Sequence, residues 1–154
     1  LREVYPKVKE QLPKAVFMFA GSNPPPWLTK HEISDLIVTG FVNDVAAYIN
    51  AADVCIVPLR FVTGTRLKIL ESMACEKPVV STSFGAEGLD VINGEHIILE
   101  DDMGGFARSI IRLIKDIEFA IKLGKNARIL VKRKYDWRQA TKKLINLYDK
   151  LLSV

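Results

Sequence analysis

Val54 to Thr82 read VCIVPLRFVTGTRLKILESMACEKPVVST, and the order of apolar and polar residues in this stretch decides the fold. VCIVPL (Val54–Leu59) is apolar at successive positions, which predicts a strand buried on both faces. A short loop containing Gly64 follows, then a helix over Arg66–Cys75, then PVVST (Pro78–Thr82) as a second strand. Strands that are apolar on both faces and joined through a helix belong to a parallel sheet covered on each side.

The same alternation runs outward in both directions. Upstream, Arg2–Gln11 reads as a helix closed by Pro13, and AVFMFA (Ala15–Ala20) as a buried strand ending at Gly21. Asn23–Trp27 holds three prolines and is expected to be loop. Leu36–Thr39 is a short strand before Gly40, and Val45–Ala52 a helix for which Asn43 or Asp44 can serve as cap. Downstream come a last strand at His96–Leu99 and three helices, near Gly105–Asp116, Glu118–Lys134 and Trp137–Leu152. The prediction is one α/β domain: a doubly wound, Rossmann-like parallel sheet with helices on both faces. In such sheets ligands bind beyond the carboxyl ends of the strands. Functional residues should therefore follow Ala20, Thr39, Leu59 and Thr82.

Composition narrows the class. The 154 residues are 49% hydrophobic and 26% charged, as in a folded domain and unlike a disordered one. The longest apolar run, Ala51–Leu59, is interrupted by Asp53 and is far too short to span a bilayer. No signal-peptide pattern is visible, and the helical pattern is already under way at the start, so truncation is expected. Cys55 and Cys75 lack metal spacing and are expected to be reduced, buried thiols of a cytoplasmic protein. Nine of the 22 Lys/Arg residues lie between Lys122 and Lys143, with Asp136 the only acid there. They alternate with Ile121, Leu123, Ile129, Leu130 and Leu144 at helical spacing. That pattern predicts the solvated face of amphipathic helices rather than a nucleic-acid surface, and it admits peripheral contact with the inner face of a membrane.

The chemistry concentrates where Leu59 gives way to the helix. A helix N-terminus leaves backbone N–H groups unpaired and carries partial positive charge, which suits a phosphate. Gly64 lets an anion approach the backbone. Arg66 in the first turn opposes the helix dipole, a conflict that an anionic ligand removes and that an arginine reaching into water also tolerates. On a helical wheel Leu67, Ile69, Leu70, Met73 and Ala74 form the buried arc, with Glu71 beside Leu67 at its edge. A carboxylate there can accept hydrogen bonds from a ribose diol, or pair at i,i+3 with Lys68.

PLRFVTGTRLKILESMACEKPVVSTSFGAEGLDV (Pro58–Val91) closely resembles the group 1 (family 4) glycosyltransferases of the GT-B fold. A subset of that family carries a Gly-rich loop followed by GTRLK, then LEAMA and PVVST. The resemblance continues upstream through Gly40-Phe-Val and Ala51-Ala-Asp-Val, and downstream to Tyr135-Asp-Trp137. The family typically has two glutamates with seven residues between them. The second matches Glu71, which the resemblance assigns to the ribose hydroxyls; the first falls at Thr63, and Val62 replaces a glycine of the subset. Gly64, Thr65, Arg66 and Leu67 match the loop whose amides hold the donor diphosphate, Thr63 lies beside them, and Gly40, Phe41 and Val42 match the turn against the base. Gly85–Gly88 matches a further loop at the site rim, with Glu87 a candidate.

The resemblance implies the C-terminal, donor-binding half of a GT-B enzyme, shortened at its start and lacking the acceptor-binding N-terminal domain, so that the fragment alone is expected to be inactive. The implied reaction is retaining transfer of a sugar from a nucleotide diphospho-sugar to a hydroxyl of a sugar, lipid-linked or other acceptor. No cofactor or metal is expected: the helix start, Arg66 and Lys68 would stabilise the leaving diphosphate, and no Asp-x-Asp motif is present. A nucleotide-sugar 2-epimerase and an inert nucleotide-binding module are the rival readings. His31 and His96 lack partners at metal or triad spacing, Trp137 and Tyr148 read as core, and Trp27 is either an exposed contact or a seal on the core.

Overall fold

The computed structural model describes residues 2–30, 33–61, 64 and 66–152. Helix α1 (Val4–Gln11) leads into β1 (Phe17–Ala20), followed by α2 (Pro26–Thr29), β2 (Leu36–Gly40) and α3 (Val45–Ala51). The second half contains β3 (Cys55–Val57), α4 (Leu67–Ala74), β4 (Val79–Ser81) and β5 (Ile98–Leu99). Three helices close the chain: α5 (Met103–Lys115), α6 (Ile117–Lys134) and α7 (Trp137–Leu152). Asp44, Asp102 and Asp116 cap α3, α5 and α6 by accepting from the amides of Ala47, Gly105 and Phe119.

Every ladder is parallel, as the apolar runs predict. β1 pairs with β2, and β3 with β4, which in turn pairs with β5. The sheet is nonetheless divided in two, β1-β2 and β3-β4-β5. Among the described residues β1 and β3 each have one hydrogen-bonded neighbour, so each presents an unpaired edge. Val54, Ile56, Val80 and Ile98 face one apolar cluster, in which Phe17, Phe19 and Leu36 join Val4 and Val8 of α1 and Phe106 and Ile110 of α5. Cys55, Val57, Val79 and Leu99 face the other, with Ile69 and Met73 of α4 and Ala127 and Val131 of α6. The long α6 serves both faces, because Ala120 and Leu123 belong to the first cluster. Fully buried side chains such as Phe106, Ile69 and Leu123 each stabilise the fold by about 1.5–3 kcal/mol relative to exposure.

Three expectations are corrected. Pro26–Thr29 is a short helix rather than loop, because a proline at the first helical position lacks only an N–H that would have no helical partner. Trp137 and Tyr148 are 82% and 56% exposed rather than core, and Leu144, Ile145, Leu147, Leu151 and Leu152 of α7 are exposed with them. On α4 the inward stripe is Arg66, Ile69, Ser72 and Met73, leaving Leu67 and Ala74 exposed. Ser72 is tolerated inside because its hydroxyl donates to the Lys68 carbonyl. The basic stretch is a solvated face as expected, and of its interleaved apolar residues only Leu123 and Leu130 are buried.

Candidate functional site

β3 and β4 run side by side in register Val57↔Ser81, so the segments leaving them emerge together. Buried hydroxyls lock those segments to each other. Ser81 Oγ donates to the Val57 carbonyl at 3.2 Å. Thr82 Oγ1 donates to the Leu59 carbonyl and accepts from the Gly85 amide. Gly85 is required here, since a Cβ would lie 2.5 Å from Ser81 Oγ and 3.0 Å from the Val57 carbonyl oxygen. Asp101, just past β5, accepts from the Ser83 amide at 2.8 Å and holds the far side of the loop. Ser83, Phe84, Glu87 and Asp101 line a shallow cleft beside it.

α4 starts in this corner. Arg66 is its N-cap, no side chain caps it and no acid sits in its first turn, so the unpaired amides and partial positive charge of the terminus are not neutralised locally. Gly64 precedes it at φ +96°, with open space where a Cβ would be. That left-handed backbone suits glycine. Arg66 itself folds inward and is 8% exposed. Nη1 donates to the Gly64 carbonyl at 2.8 Å and Nη2 to the Phe84 carbonyl at 3.3 Å. Nη2 also lies 3.5 Å from Glu87 Oε2, and the guanidinium sits 5.6 Å from the Phe84 ring centroid. Nε is buried and without an acceptor among the described residues. The arginine therefore spans the loop before α4 and the loop after β4, with one donor unused at a cationic corner.

Gly64 and Arg66 stand at the start of α4, where the Arg66 side chain folds back onto the Gly64 carbonyl. Lys68 and Glu71 are exposed on the first turns of α4, and no ion pair joins them among the described residues. Leu67 begins the helix, exposed beside Glu71. Gly40, at φ +68°, ends β2 and receives the Gly21 amide at 3.0 Å. Phe41 projects 76% exposed and Val42 is half-buried. Their turn thus closes the β1-β2 sheet. Thr63 and Thr65, with Val62 and His31, lie outside the described residues. His96 is structural: its Nδ1 accepts from the Ile92 amide at 3.2 Å. Trp27 is exposed and does not seal the core. Sequence reasoning missed the hydroxyl lock of Ser81 and Thr82, whose signal was two polar residues ending an otherwise apolar strand. It also missed the Arg66–Glu87 approach, which joins positions 21 apart and has no periodic signature. Cys55 and Cys75 are unpaired thiols, and burial pushes the Cys55 pKa up. Among the described residues no cluster of His, Cys, Asp or Glu is arranged to hold a metal, and no helix is long and apolar enough to cross a membrane.

Comparison with known proteins places this corner in a family. The model of the glycosyl transferases group 1 matches residues 1–116. The trehalose synthase of Thermococcus litoralis is 27% identical over 149 residues, spanning 86% of this chain and 36% of that protein. Among solved structures, sucrose-phosphate synthase from Thermosynechococcus elongatus is 25% identical with a TM-score of 0.78, covering 98% of this chain and 42% of that one. The Anabaena protein HepE, solved in complex with UDP and glucose, is similar in fold with a TM-score of 0.81 at 16% identity, covering 96% and 44%. The chain spans about a third of the length of the curated relatives it matches. The strand–glycine–helix corner and the family match running through it have one meaning: this chain belongs to the group 1 glycosyl transferases.

Proposed function

We propose that this chain is the donor-binding domain of a retaining glycosyltransferase that takes a sugar from a nucleotide diphospho-sugar. The observation that carries the reading is the uncapped start of α4, flanked by Gly64 and by the buried Arg66 guanidinium with a free Nε. In this reading the helix amides, Arg66 and the exposed Lys68 hold the diphosphate and stabilise the charge that develops as its bond to the sugar breaks. These fixed positive groups supply the work of a divalent cation, so no metal is needed. Glu71 accepts from the ribose diol, and Gly40, Phe41 and Val42 lie against the base. The complex of HepE with UDP and glucose supports a nucleotide-sugar ligand.

A sugar, lipid-linked or other hydroxyl acceptor sits on a domain outside this chain, and the relatives' greater length supports that division. The unpaired edges of β1 and β3 support a further strand between them, supplied by polypeptide preceding Leu1. The doubly wound strand order 3-2-1-4-5-6 places such a strand there, with β2 and β1 on one side and β3, β4 and β5 on the other. The two unpaired cysteines support a reducing, cytoplasmic setting. The test uses the full-length protein with UDP-, GDP- and ADP-sugars: one should transfer its sugar to an acceptor hydroxyl and release its nucleoside diphosphate, with the donor's anomeric configuration kept in the product by NMR. The 154-residue chain alone should transfer nothing. A folded full-length protein that binds none of the three nucleoside diphosphates at millimolar concentration refutes the reading.

A further inference from the structure

Resting on the donor-site reading above, we infer that Glu87 is a built-in counter-anion of the diphosphate site, which the ligand displaces from Arg66 and which reclaims Arg66 as the nucleoside diphosphate leaves. Among the described residues the Glu87 carboxylate is the only anionic partner of this guanidinium. Asp101, the other acid of the cleft, is engaged by the Ser83 amide. The contact is long, 3.5 Å, and the Glu87 side chain is 68% exposed. It can therefore swing into solvent at little cost.

Arg66 does not need Glu87 to stay in place. The carbonyls of Gly64 and Phe84 hold Nη1 and Nη2 from either side, and the Phe84 ring lies against the guanidinium. Those carbonyls are neutral, so they orient the arginine without cancelling its charge. Glu87 cancels part of it. An incoming diphosphate brings more negative charge than one carboxylate. Glu87 thus acts on affinity through charge rather than through placement, which makes the sign of its removal specific. A positioning residue would weaken binding when removed, whereas a competing anion strengthens it.

The experiment compares wild-type full-length protein with Glu87→Gln, which keeps the side chain's size, and with Glu87→Ala. UDP, GDP, ADP and the matching nucleosides are titrated calorimetrically, with a thermal melt of each protein. Both variants should bind the preferred nucleoside diphosphate about two- to fivefold more tightly, the range set by an exposed ion pair. Nucleoside affinity should be unchanged. Donor KM should fall by the same factor while kcat does not rise, because product leaves more slowly. Unchanged or weakened diphosphate binding by folded variants overturns the inference and leaves the donor site standing. Equal tightening of nucleoside and diphosphate also overturns it, since the effect would not run through the phosphates. If no protein binds any of the three nucleoside diphosphates, the donor site itself is refuted and this inference with it.

Discussion

Replacing Glu71 by alanine separates a ribose-binding carboxylate from an ordinary solvated one. Glu71 lies on the second turn of α4, exposed, with no ion pair to Lys68 among the described residues. The fold therefore loses almost nothing when it is removed. Alanine is the better helix former by a few tenths of a kcal/mol, so the melting temperature should stay level or rise slightly. Binding should respond strongly. Hydrogen bonds to a charged acceptor contribute about 1.5–3 kcal/mol, so nucleoside diphosphate affinity should fall about ten- to a hundredfold. The assay is calorimetric titration of the full-length protein with a nucleoside diphosphate and its 2′-deoxy form. Wild type should discriminate between them, and Glu71→Ala should bind both almost equally, because the partner of the 2′-hydroxyl is gone. Undiminished affinity, or discrimination that survives the substitution, removes Glu71 from the site. A large fall in melting temperature would instead make it a structural residue and refute the burial argument.

Two further outcomes test the fold. Gly124→Ala puts a Cβ 2.0 Å from the Glu76 carbonyl oxygen, and Glu76 already sits at φ +59° where its turn has little freedom to move. Overpacking of this kind costs about 1–3 kcal/mol, so the melting temperature should drop by roughly 2–12 °C; an unchanged melt would mean that α6 does not pack against that turn. Burial raises the Cys55 pKa above its ordinary value, which keeps the thiol protonated in the folded state. Its contribution to stability is complete below the unfolded-state pKa of about 8.5 and is lost as pH rises through the folded value. Cys55 should therefore resist iodoacetamide at pH 8 until the protein unfolds, and peptide mass spectrometry showing labelling as fast as free cysteine would contradict this.

Much of the order of elements was legible in the chain because it is written in local periodicity. Runs such as VCIVPL and AVFMFA mark strands of a parallel sheet, and the strands at Cys55–Val57 and Phe17–Ala20 fall inside them, although Met18 and Ala20 turn outward where burial on both faces is expected. Gly64 before a helix marks a phosphate-suited turn without reference to the rest of the molecule. Asp44, one of the two cap candidates for α3, acts within three residues of itself. The proline-rich stretch misled because three prolines suggest loop, whereas the third one's φ suits a helix start.

What the sequence by itself determined, then, is the parallel α/β class and the position of the glycine–helix corner. Only the tertiary structure decided which way Arg66 points, because its partners are the Gly64 carbonyl next door and the Phe84 carbonyl and Glu87 carboxylate from beyond β4. The same holds for α4, where a helical wheel defines a stripe but the packed neighbours choose its centre, turning Leu67 out and Ser72 in. It holds most of all for the divided sheet. Each strand carries its own apolar pattern, but the pairing of β1 with β2 and of β3 with β4 depends on which edges meet in space. Periodicity along one chain is a short-range property; contact between distant segments is set by the whole core that brings them together.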